Sequence, residues 1–160
     1  MRAFNIIKIA AFAALALTLS NCGYNRMIAL EESVNAAWGD LQASYQRRAD
    51  LVPNLVSVVK GYAKHEKETL SAVIEARAKA TAITLSPEML KDPNNIRRFQ
   101  QVQGELSGML TKLMAITENY PNLKANENFM DLQNQLEGTE NRINVARVRY
   151  NDAVRVFNTM

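Results

Sequence analysis

The chain is poor in the residues that staple, punctuate or catalyse. It has one cysteine, Cys22, in 160 residues, so no intramolecular disulfide and no thiolate metal site can form. It also has one histidine, His65. The run His65-Glu66-Lys67-Glu68-Thr69 begins like HExxH, but Thr69 stands where a zinc site needs its second imidazole one turn on. A di-iron bundle needs paired Glu-x-x-His motifs, and Tyr62 occupies the position three before His65. No nucleophile elbow accompanies the serines and aspartates. These absences argue against catalysis, metal or cofactor, and His65 reads as a helix-surface or interhelical hydrogen-bonding residue. With six glycines, four prolines at segment boundaries and no long run of alternating polarity, a sheet is excluded in favour of helix. The formal net charge is only +3. Basic residues alternate with acids instead of forming a stripe, which excludes a nucleic-acid partner.

What is present begins at the N-terminus. Arg2 and Lys8 precede an apolar run of 11 residues, Ile9 to Leu19, followed by Ser20-Asn21-Cys22. A spanning helix needs about 20 apolar residues, so the run fits a secretory signal better. Leu19-Ser20-Asn21-Cys22 resembles the lipobox of bacterial lipoproteins, in which the thiol is alkylated by a diacylglycerol, the chain is cut before the cysteine and the new amine is acylated. Asn21 stands where Gly, Ala or Ser is usual. The expectation is a signal peptide over 1–21 and a lipidated Cys22. The competing readings are an uncleaved anchor helix from Ala3 to Leu19 and a plainly secreted chain. Loss of Arg2 and Lys8, with no acid, takes the charge from +3 to +1.

The remaining residues, 22–160, make one domain of four amphipathic segments. In the last, Phe129, Leu136, Ile143, Tyr150 and Phe157 recur every seven residues, with Leu132, Thr139, Ala146 and Ala153 between them. The third repeats the device with Phe99, Leu106, Leu113 and Tyr120, accompanied by Val102, Met109 and Ile116. Such a repeat implies helices crossing near 20° with a slight left-handed supercoil. The second segment carries Leu55, Val59, Tyr62, Leu70, Val73 and Ile74, and the first Met27, Leu30, Val34, Trp38, Leu41 and Tyr45. Their phases join through Ala49 to Pro53. A break is expected there, because one helix from Arg26 to Ala80 would extend about 80 Å, longer than the other segments could cover. Asp50 would be the cap, with Pro53 in the first turn. Ser86-Pro87-Glu88 and Asp92-Pro93 mark a short turn of helix and the start of the third helix. Tyr120-Pro121-Asn122 ends that helix, and Asn126 caps the fourth. The expected fold is all-α, an antiparallel up-and-down four-helix bundle with long helices. The fourth helix is still in phase at Met160, which reads as a fragment cut inside or near the end of a helix.

Some polar residues fall on apolar faces. Glu66 and Arg77 share one side of the second segment, and Glu140 and Arg147 flank the fourth seam. A buried carboxylate must be paired or neutralised, so cross-helix Glu–Arg or Glu–Asn contacts are expected, with simple exposure at the stripe's edge as the alternative. Gly104 and Gly108 form a GxxxG spacing that suggests close approach of a neighbouring backbone. Met89, Met109, Met114 and Met130 read as gap-fillers.

Two runs, RRADLVPNLVSVVKGYAKHEKETL at 47–70 and YPNLKANENFMDLQNQLEGTENRINVARVRYNDAVRVFN at 120–158, resemble the LemA family of bacterial envelope proteins. Matching positions include Trp38, Arg47, Arg48, Asp50, Pro53, Asn54, Gly61, Tyr62, His65, Glu66, Arg77, Tyr120, Pro121, Phe129, Glu140, Arg147 and Tyr150. Cys22-Gly23-Tyr24-Asn25 looks like the mature start of that family's lipoprotein branch. The chain departs in stopping before the Phe-Pro and aromatic tail that members usually carry.

The resemblance implies a helical bundle tethered to the cell membrane or outer membrane, facing the periplasm or cell exterior, with no established reaction or cofactor. The functional expectation is a lipid-tethered, non-catalytic scaffold or adaptor for membrane or envelope proteins. The other classes are a self-associating homo-oligomer that organises membrane and, last, a hydrolase with an unrecognised site.

Overall fold

The computed structural model describes residues 2–159, and the side chains of residues 24–159. Among the described residues the fold is all-helical. Helix α1 spans Arg2–Tyr62, α2 Lys67–Thr81, α3 Pro93–Thr117, α4 Pro121–Lys124 and α5 Glu127–Asn158, with a 3₁₀ turn at Met89–Lys91. The chain divides into two units, Met1–Gly39 with Val148–Met160, and Asp40–Arg147. Among the described residues no helix is long and apolar enough to cross a membrane.

The break expected between Ala49 and Pro53 is absent. Helix α1 runs through Pro53 to Tyr62, and the chain turns at residues 63–66 instead. An interior proline removes the N–H that would bond the carbonyl four residues back, here that of Ala49. That carbonyl accepts a hydrogen bond from Arg77 Nε at 2.7 Å, so α2 supplies the donor that α1 lacks. Asp50, free of capping duty, accepts from Gln46 Nε2 at 2.8 Å on the helix surface. The length mismatch that argued for a break is relieved by the later turn, where Ala63 N bonds Val59 O at 2.8 Å and Glu66 N bonds Ala63 O at 3.1 Å.

The other boundaries fall near the sequence signals. Asp92 accepts from Asn94 N at 2.9 Å, with Pro93 in the first turn of α3. Ser86 Oγ bonds Glu88 Oε2 at 2.7 Å instead of capping a backbone N–H, and its carbonyl accepts from Leu90 N at 3.2 Å. Asn126 Oδ1 accepts from Phe129 N at 3.0 Å and so caps α5.

The core of the Asp40–Arg147 unit gathers Val52, Leu55, Val59, Ala63, Leu70, Val73, Leu106, Leu113, Leu123, Phe129 and Leu136, among others. Its burial follows the heptads of the sequence on α5, where Phe129, Leu136, Thr139, Ile143 and Ala146 are all buried. On α3 the row of Phe99, Leu106 and Leu113 is buried as expected. Its companion row is shifted by one residue, to Gln103, Leu110 and Thr117, and Val102, Met109 and Ile116 are only half-buried. Polar side chains occupy two of those three places because each has a bond inside. Gln103 Nε2 donates to Ala80 O at 3.1 Å, and Thr117 Oγ1 to Met114 O at 2.6 Å. Met109 and Met114 pack against the core, whereas Met89 and Met130 are exposed and fill no gap.

In the other unit, the Trp38 and Tyr150 rings lie 5.3 Å apart at 58°, both buried.

Candidate functional site

The Asp40–Arg147 unit carries one buried charge at its centre. Arg48 is 2% exposed. Its position three residues after Tyr45 and four before Val52 puts it on the inward face of α1. The guanidinium reaches two other helices. Nη1 donates to Glu140 Oε1 on α5 at 2.9 Å and to Ser107 Oγ on α3 at 3.3 Å. Nη2 donates to Gln103 O at 3.0 Å and to Gln103 Oε1 at 2.7 Å. Its Nε has no hydrogen-bond partner. The Arg48 Cζ lies 5.2 Å from the Tyr45 ring centroid, within cation–π range. Tyr45 in turn meets Phe99 edge-on, centroids 5.4 Å apart. Burial pushes the Tyr45 phenol above its ordinary value, against the opposing pull of Arg48 and Arg147.

This network floors an open cleft between α3 and α5. One part, about 350 Å³, is lined by Tyr45, Arg48, Gln100, Gln103, Gly104, Ser107, Glu140, Ile143 and Arg147. The adjoining part, about 520 Å³, is lined by Ser107, Leu110, Thr111, Met114, Leu136, Glu137, Glu140 and Asn141. Ser107 and Glu140 belong to both. The close approach expected at Gly104 and Gly108 is not found. A Cβ built on either would meet nothing within 4 Å, so these glycines leave room along α3 instead of admitting a neighbour.

The structure brings Glu140 and Arg147 of the sequence reading to this cleft. Glu140 finds its cross-helix arginine, Arg48, while Arg147 donates to Asn144 on its own helix at 2.9 Å. Glu66 lies outside a helix, in the turn at 63–66, and accepts from Tyr120 Oη at 3.0 Å. Its expected Arg or Asn partner is thus a tyrosine, and Arg77 serves Ala49. His65 is exposed in the same turn, about 20 Å along α1 from Arg48 by helical rise. Cys22 lies outside the residues whose side chains are described. Among the described residues, no group of three or more His, Cys, Asp or Glu is placed to hold a metal ion. Arg48 and Gln103 were legible only as positions in phase with Tyr45 and Phe99, since a polar side chain on an apolar face is ordinarily read as an edge residue. Chemically, the network neutralises a buried cation and leaves a cleft that is mostly polar around Arg48 and mixed beside Leu110, Met114 and Leu136.

The family model of the LemA family matches residues 37–160. The chain belongs to the LemA family. It is similar to magnetosome protein MamQ 2 of Paramagnetospirillum magneticum (24% identical over 170 residues, 96% of this chain and 61% of that protein). It is also similar to magnetosome protein MamQ of Magnetospirillum gryphiswaldense (24% over 174 residues, 99% and 62%) and to protein LemA of Metamycoplasma hominis (25% over 138 residues, 84% and 58%). The chain spans about three fifths of the length of the curated relatives it matches.

Proposed function

We propose that this LemA-family chain is a membrane-tethered, non-catalytic adaptor that docks envelope or membrane proteins along the α3/α5 cleft. In this reading residues 1–21 are a signal peptide, Cys22 carries the lipid, and residues 22–160 face the periplasm or cell exterior. The observation that carries it is the cleft itself: open, lined by polar as well as apolar side chains, and floored by an arginine whose charge is already matched. Such a surface offers a partner both side chains to pack against and groups to hydrogen-bond.

The helices of the Asp40–Arg147 unit are proposed to alternate up and down. Supporting this, Arg48 meets Glu140 and Tyr62 meets Asn126 in opposite senses along α1 and α5, as Ala49 meets Arg77 on α2.

The test places a photo-crosslinker at Gly104 and, as a control, at exposed Glu75 on α2 in intact cells, with mass spectrometry of the N-terminus. Adducts with the same membrane or envelope proteins at position 104, absent at 75, and a lipidated Cys22 are expected. Adducts only between copies of the chain would favour self-association, and no adduct at 104 would sink the adaptor reading.

A further inference from the structure

Three large apolar side chains near the start of the described region are open to solvent. Tyr24 is 60% exposed, Met27 44% and Ile28 46%. At spacings of three and four they share one face of α1. Further along, in line with Met27, Val34 is half-buried and Trp38 is buried against Tyr150. Protein therefore covers this face of α1 from Trp38 onward and withdraws from it toward residue 24.

We propose that Tyr24, Met27 and Ile28 form an interfacial collar that lies in the lipid headgroup layer and seats the domain on the bilayer surface. The inference rests on the reading of Cys22 as the lipid-bearing residue. At 1.5 Å per residue, Ile28 is about 9 Å along the helix from Cys22. The headgroup region of one leaflet is about 5–8 Å deep, the difference between the full bilayer and its hydrocarbon core. An upright helix starting from lipidated Cys22 thus carries these three residues through that layer and little further.

The charges are ordered to match. Arg26 is the sole charged residue between Gly23 and Leu30, and the first acids are Glu31 and Glu32. The cation falls where anionic headgroups attract it, and the acids fall about 14 Å from Cys22, beyond the layer. A tyrosine suits this depth because its ring is apolar and its hydroxyl wet.

The experiment uses the full chain, processed in cells and reconstituted in phosphatidylethanolamine–phosphatidylglycerol vesicles. A nitroxide is placed by Met27→Cys, Ile28→Cys or, on the opposite face, Ser33→Cys. A lipidated Cys22 offers no thiol to the label. Labels at 27 and 28 are expected to collide readily with oxygen and poorly with a water-soluble nickel chelate, and the label at 33 the reverse. Labels at 27 and 28 as open to nickel as that at 33, with lipid on Cys22 by mass spectrometry, would overturn the collar while leaving the anchor intact. Shielding of 27 and 28 from both reagents would overturn it in favour of a protein cover. A free thiol at Cys22 would overturn the anchor and the collar with it.

Discussion

Arg77 Nε donates to the carbonyl of Ala49 at 2.7 Å, the acceptor that Pro53 deprives of its helical N–H. A residue of α2 thereby makes tolerable a proline inside α1, and the two positions are energetically linked although they do not bond each other.

That linkage is measurable by a double-mutant cycle. Arg77→Met keeps the apolar stem and removes the donor. It is expected to cost about 1.5–3 kcal/mol with Pro53 present, the range for a hydrogen bond from a charged group. In the Pro53→Ala background the backbone N–H restored at that position donates to the Ala49 carbonyl, and the same change should cost about 1 kcal/mol less. Equal costs in urea unfolding of both backgrounds would show that Arg77 is not compensating for the proline.

The Arg48–Glu140 pair is lopsided, with side-chain exposures of 2% and 35%. Arg48→Ala takes from Gln103 Oε1 the donor it accepts from and leaves a void in the core, and is expected to destabilise by about 2–5 kcal/mol. Glu140→Gln keeps an acceptor near water and is expected to cost about 1 kcal/mol. Comparable losses for both variants in chemical denaturation would contradict this asymmetry.

Gly104 and Gly108 have free space where a side chain would go and sit inside α3 without positive φ. Replacing either by alanine is expected to stabilise the chain by about 0.5–1 kcal/mol through helix propensity. A lowered thermal midpoint for either variant would mean that the cleft is narrower than described. If the cleft docks a partner, Gly108→Ala is expected to weaken crosslinking from position 104 while raising stability.

Three phenols stand above the ordinary tyrosine value. Burial raises Tyr45 and Tyr150, and the hydrogen bond to Glu66 raises Tyr120. Well below about pH 10 these three phenols are protonated in both folded and unfolded chains, so this contribution is fully present there. Above it the unfolded chain releases protons that the folded chain keeps, so stability falls as pH rises through the folded values. The midpoint in urea is expected to drop as pH rises beyond about 10, and Tyr120→Phe to make that drop shallower. A flat alkaline profile would show that the phenols are not held in this way.

Much of the architecture is legible without coordinates. The heptads of α5 and the signals at Asp92-Pro93 and Asn126 act over one or two turns, the range in which sequence patterns carry their meaning. Pro53 misleads because Asp50 and Pro53 look the same at a helix start as inside a helix rescued from elsewhere, and the rescuing donor comes from another segment. The α3 seam expected from hydrophobicity is off by one residue because Val102, Met109 and Ile116 are the more apolar row. The buried row is held instead by bonds from Gln103 and Thr117 that hydrophobicity does not register. The candidate site is half visible. Phase alone flags Glu140 and Arg147, whereas the choice of Arg48 as the partner depends on how three helices meet.

Asn126 works in two directions at once. Its Oδ1 accepts from Phe129 N at the head of α5, and its Nδ2 donates to Tyr62 Oη at the tail of α1. One amide group therefore ties together two chain reversals that are remote in sequence, so opening either costs the other a contact. Amide protons around Tyr62 and Phe129 would trade with solvent on a common clock, and a protease that gains one of these turns would gain the other.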